Sequence, residues 1–110
     1  MNKTSLTELA EKNLAEARNV RSGRSAHTVH GGHASALRQT VIALIGGQRL
    51  DEHESPGEAT LQVLTGRVRL TSEQDSVEAA AGDLVVIPDA RHALAALDDS
   101  VVLLTVVKLP

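Results

Sequence analysis

Apolar residues recur along this chain with two different periods. Leu6, Leu9, Ala10, Leu14 and Ala17 fall at helical spacing, and Ser5 with Glu8 three residues on forms a capping box, so one amphipathic helix is expected over residues 6–18. From residue 37 onward the period shortens to two. Ala59, Leu61 and Val63 fall on one face of a strand whose other face carries Thr60, Gln62 and Leu64, and Arg67 and Arg69 then alternate with Val68 and Leu70. The Thr65-Gly66 step between these two runs predicts the tight turn of a hairpin. Further strands are expected over 37–45, 48–54, 77–80, 92–97 and 101–108, with turns at Gly46-Gly47, Ala81-Gly82-Asp83 and Asp98-Asp99-Ser100. The uniformly apolar run 84–87, stopped by Pro88, reads as the buried end of a strand. Short strands separated by turns every eight to twelve residues or so predict an all-β sandwich or barrel.

Two stretches fit neither period cleanly. RSGRSAHTVHGGHASA, residues 21–36, mixes turn formers with His27, His30 and His33. Gly31-Gly32 breaks a helix there, and an extended strand would turn His27 and His30 to opposite faces, so the expectation is a loop with solvated histidines, the alternative being a role at a cavity mouth. Residues 1–36 are thus expected to form a helix and a His/Gly-containing loop packing on a barrel of residues 37–110. The Val-rich VVLLTVV of the last strand is apolar on both faces; left at an open edge it would invite aggregation, so pairing across a homodimer is expected.

The 110 residues make about one domain, and a 42% apolar, 23% charged composition is that of a globular protein rather than a disordered one. Net charge is −3, the eleven Lys and Arg are scattered, and Phe, Tyr and Trp are absent, which argues against phosphate backbones and base stacking and so against nucleic acid as a partner. The absence of Cys excludes disulfides and thiolate metal sites. No run is long and apolar enough to cross a membrane, and the polar first twenty residues do not read as a signal peptide, so a cytoplasmic location is expected.

The candidate chemistry lies in GGQRLDEHESPGEATLQVLTG, residues 46–66, and AGDLVVIPDARHAL, residues 81–94. Each places one histidine, His53 or His92, near the end of a strand-like run, and Ser55 shares a strand face with His53. The first segment carries Gly47, five residues, His53, and later Gly66; the second carries Gly82, five residues, Pro88, then His92. In these motifs, and over residues 37–107, the chain resembles the cupin superfamily, in particular short single-domain bacterial cupins. The resemblance implies a jelly-roll barrel (a double-stranded β-helix) with the one N-terminal helix added. It also implies a metal site drawn from two histidines and a glutamate of the first motif and one histidine of the second. Here Ser55 stands at the second His position, Ala59 at the Glu position, Ala90 at the second motif's Gly, and Glu58 is one residue off.

Two imidazoles alone hold a transition metal weakly, since stable sites draw three or four protein ligands. A divalent Zn, Ni, Mn or Fe would need His53 and His92 completed by Glu58 at a bulge, by Glu54 or by a loop histidine. With no aromatic side chain to fill it, a barrel lined by Leu61, Val63 and Val86 is expected to keep a cavity with His53, Ser55 and His92 as polar anchors. Either imidazole can act as acid or base near neutrality, but no nucleophile is identified. The leading expectation is a cupin, non-catalytic or of uncharacterised activity, that binds a small apolar or anionic molecule in its barrel as a sensor or sequestering module. The alternatives are a metal-dependent oxygenase or isomerase with a non-standard ligand set, and a structural oligomerisation module.

Overall fold

The computed structural model describes residues 1–53 and 57–108, excepting the side chains of Glu52 and His53. Its first element is the expected helix, α1 (Leu6–Arg18), whose Ser5 hydroxyl accepts a hydrogen bond from the Glu8 N–H at 3.2 Å. Nine strands follow among the described residues: β1 (Arg24–His30), β2 (Leu37–Leu44), β3 (Arg49–His53), β4 (Gly57–Thr65), β5 (Arg67–Ser72), β6 (Ser76–Ala80), β7 (Leu84–Val86), β8 (His92–Ala96) and β9 (Ser100–Lys108). They form two antiparallel sheets, one ordered β1-β2-β9-β4-β7 and the other β3-β8-β5-β6. The chain is therefore all-β apart from its helix, a jelly roll whose two sheets face one another.

After β2, every connection except β5 to β6 switches sheets. This corrects the expected hairpin at Thr65-Gly66. β4 is bonded to β7 and β9, β5 to β6 and β8, and Gly66 is a corner rather than a hairpin tip. The local sequence is the same for either geometry; the choice is made by distant partners. Around this corner the buried Ser100 hydroxyl accepts from the Arg67 N–H at 3.0 Å, and the Arg67 carbonyl accepts from the N–H of Leu97 at 2.9 Å.

β1 is a second correction. Residues 24–30 are not a loop but an edge strand paired antiparallel with β2, with a bulge between Thr28 and His30. His27 and His30 on it are exposed, as is His33 beyond it. The run RSAHTVH has little apolar alternation of its own, and β2 supplies the ladder that makes it a strand.

Two apolar layers share the larger sheet. Inside the barrel pack Leu44, Ala59, Leu61, Val63, Val68, Leu70, Ile87, Leu94 and Val102. On the outer face α1 lays Ala10, Leu14 and Ala17 over Val41, Ala43, Val101 and Leu103. β9 lies between β2 and β4, and its first half is apolar on both faces because both are covered there: Val101 and Leu103 lie under the helix and Val102 in the barrel. The expected open edge at this strand does not exist. Full burial of a Val or Leu is worth about 1.5–3 kcal/mol, so this one strand contributes heavily to both layers.

The run 84–87 is corrected likewise. β7 is the far edge of the sheet, beyond the reach of α1, and only Val85 and Ile87 turn inward. Leu84 and Val86 face out, 62% and 75% exposed, so Val86 does not line the barrel.

Candidate functional site

Strand direction alternates so that the connections β2–β3, β4–β5, β6–β7 and β8–β9 gather at one end of the barrel. That end is sealed. Gly47 donates to the Ala96 carbonyl at 2.9 Å, Gly82 to that of Val63 at 2.9 Å, and Gly46 to the Asp99 carboxylate at 2.9 Å. The Arg18 guanidinium bonds the same carboxylate at 3.1 Å, tying the end of α1 to the β8–β9 corner. The Gly46 N–H and Arg18 together hold the Asp99 carboxyl below the usual carboxylate range.

The opposite end carries the chemistry. Residues directly paired across strands share a face, so the register defines two inward-facing rows there. On the smaller sheet His53 pairs with His92, and His92 with Ser72. His92 and Ser72 continue the parity of Leu94 and Leu70, which lie one step deeper and pack in the barrel, whereas a register shift separates the backbone pairing of His53 from that of Leu50. On the larger sheet Arg38 pairs with Val106, and Val106 with Ala59. Beneath that second row lie Thr40, Leu104, Leu61 and Val85. The two sequence-distant histidine segments therefore converge as adjacent strands.

His92 is 4% exposed, and its Nδ1 lies 2.9 Å from the Ala90 carbonyl oxygen. A carbonyl only accepts, so this contact places the proton on Nδ1 and makes Nε2 an acceptor in the neutral ring. Ala90 also lines a cleft of 380 Å³ that opens between the β5–β6 turn and β7, where the two sheets are not bonded to one another. Leu70 and Val85 at its base belong to the barrel interior. The cleft thus leads from solvent to the neighbourhood of the buried imidazole.

Of the remaining candidates, Leu61 and Val63 are buried inside the barrel, Val63 one step deeper than Leu61 and near the sealed end. Ser55 and Glu54, and the side chain of His53, lie outside the described residues. Glu58 does not join the row. It pairs with Val107 on the outer face, with no bulge between it and Val63 to turn it inward. Ala59 is the inward residue at that position, 7% exposed, and a methyl group cannot ligate a metal. Among the described residues no group of three or more His, Asp or Glu is placed to hold a metal ion. The described donors therefore do not fit the metal centre that the resemblance implies, and we route no chemistry through one.

Sequence reasoning missed two inward polar residues at this end, Arg38 and Ser72. The signal was present for Arg38: it shares a strand face with Thr40, Ile42 and Leu44. Knowing which face of β2 looked inward required knowing that α1 covers the other.

Among the described residues no helix is long and apolar enough to cross a membrane. No protein-family model matches the sequence, nor does any curated protein. Solved structures do. A conserved protein of unknown function from Streptococcus pyogenes is 32% identical, with 83% of this chain and 79% of that one covered at a TM-score of 0.74. An RmlC-like cupin from Desulfovibrio desulfuricans, 21% identical, covers 97% and 96% at 0.73. A cupin superfamily protein from Desulfitobacterium hafniense, 15% identical, covers 78% of each chain at 0.72. The likeness to these two is one of fold: two facing antiparallel sheets whose strands switch sheets at successive corners, so this chain has the cupin fold that its two motifs lead one to expect.

Proposed function

We propose that this protein binds a small molecule at the open end of its barrel, with His53, Ser55 and His92 as polar anchors above an aliphatic floor that includes Leu61 and Val63. The observation that carries the reading is the position of His92, buried at the top of an aliphatic interior and held by the carbonyl of Ala90, a residue that lines a 380 Å³ cleft. Small-molecule sites are typically clefts of about 300–1,000 Å³ with few polar groups among apolar ones. A fragment screen by ligand-observed NMR and thermal shift on the native chain tests it. Saturable hits that perturb His92 and are lost in His92→Ala support the reading; a screen without hits, or hits unaffected by the variant, overturns it.

A second copy of the chain is the occupant we propose for the outer face of the larger sheet beyond α1. The cross-strand rows Gln39–Thr105–Thr60–Val86 and Leu103–Gln62–Leu84 on that face carry no charged residue, so two copies can meet there without burying like charges. A 470 Å³ groove indents the same face, lined by Thr60, Val86, Thr105 and Val107 together with Glu58 and Asp89, which a partner copy would have to leave in water. Light scattering of the native chain at micromolar concentration should give a dimer; a monomer refutes this pairing.

A further inference from the structure

The described structure gives no partner to one buried donor at the open end. Arg38 is half-buried on β2, and its Nε is buried with no hydrogen-bond partner among the described residues. A buried donor left unsatisfied is costly, and more so when it belongs to a charged group. Its surroundings supply no counter-charge in the row to which it belongs. The neighbours across the sheet are Val106 and Ala59, and Thr40, Leu104 and Leu61 lie beneath. The Arg38 stem is also packed: a Cβ added at Gly31 would come within 2.9 Å of its Cγ. A residue pinned in this way has little freedom to swing its Nε into bulk water.

We infer that the ligand at the open end carries a carboxylate on a short aliphatic body, and that Arg38 is its specificity-determining contact. This rests on the reading of the barrel as a small-molecule site. A guanidinium presents Nε–H and one Nη–H side by side, a fork that matches the two oxygens of a planar carboxylate. A carboxylate that engaged this fork would give the buried Nε the acceptor it lacks among the described residues. The aliphatic part of the ligand then lies over Val106, Ala59 and the leucines below. Alanine at position 59 completes the logic: an acid in that row would compete for the guanidinium, and a methyl leaves it to the ligand.

The test is a titration of isotopically labelled full-length protein with isobutyrate, with isobutyramide as its neutral isostere and with inorganic phosphate, read from backbone amide shifts. Isobutyrate should shift Ala59, Val106 and His92 saturably and bind about tenfold or more tightly than the amide, as charge-assisted hydrogen bonds of this kind discriminate. Arg38→Gln should abolish that preference. Arg38→Lys keeps the charge and most of the stem but loses the fork, and should weaken isobutyrate about tenfold, which covers the case of a poorly folded glutamine variant. The exposed Arg24→Gln should change nothing. Equal binding of acid and amide, a preference that survives in Arg38→Gln, or tighter binding of phosphate would overturn the assignment while leaving the pocket in place. If all three probes leave the open end unperturbed, this assignment falls whatever the wider screen returns; if fragments with no carboxylate alone bind there, the pocket reading survives it.

Discussion

Replacing Gly66 by alanine should destabilise the protein more than any other exchange of a corner glycine, and the structure says by how much. Gly66 has φ +82°, in the region that L side chains avoid, where a residue with a Cβ costs about 1–2 kcal/mol. The new methyl would also run into the Asp99 carbonyl oxygen, come within 2.5 Å of the Ser100 Oγ and lie 2.8 Å from the Ser100 Cα. Backbone cannot yield as a flexible side chain does, and such overpacking adds about 1–3 kcal/mol. The sum, about 2–5 kcal/mol, is a large part of the roughly 5–15 kcal/mol that stabilises a domain of this size. Gly47 supplies the control: its φ is +92°, but a Cβ there meets nothing within 4 Å, so Gly47→Ala should lose only the backbone cost of about 1–2 kcal/mol. Because the chain contains no Trp or Tyr, the assay is urea unfolding followed by far-ultraviolet circular dichroism, with slopes compared to confirm a common unfolded state. Should the two alanine variants agree within about 0.5 kcal/mol, the packing of Asp99 and Ser100 on Gly66 is not the constraint described here.

Four further substitutions carry expected outcomes. Asp99, whose carboxyl is held low in the folded state, contributes stability that is present above its unfolded value and is lost as pH falls through the folded one; Asp99→Asn should therefore flatten the loss of stability below about pH 4 in acid titrations. The carboxylate is exposed, so its removal at pH 7 should cost no more than about 1 kcal/mol in urea unfolding. Ser100→Ala deprives the Arg67 N–H of its acceptor inside a sealed corner and should cost about 1–3 kcal/mol by the same measurement. Leu14→Ala, under α1 against the outer face of the large sheet, should cost about 2–5 kcal/mol, and a loss below about 1 kcal/mol would mean that the helix is only loosely seated. Val86→Glu places a charge on the most exposed apolar position of β7 and should convert a dimer to a monomer by light scattering without lowering thermal stability.

What was legible in the sequence was local. The helix announced both its period and its cap, and each strand from β2 to β9 showed its alternation or its turn residues. What was not legible depended on partners far along the chain. Nothing in LQVLTGRVRL distinguishes a hairpin from a corner between sheets, because β4 finds β9 and β7 while β5 finds β8 and β6. RSAHTVH became a strand because β2 offered it an edge. VVLL and LVVI are both apolar throughout, yet one is enclosed on two sides and the other is half exposed, according to where α1 lies. At the open end the two histidines were found through motif spacing. Arg38 escaped because its significance depends on the inward row, and that row exists only once the sheets face each other.

The central place of β9 carries a consequence for how the protein is made. As the last of the described strands to leave the ribosome, it separates β2 from β4 until it arrives, and neither oily layer can close before then. Translation therefore keeps this domain adhesive until β9 has emerged, so the burden on chaperones lasts until that moment, and any message truncated ahead of Ser100 yields a product fit only for degradation.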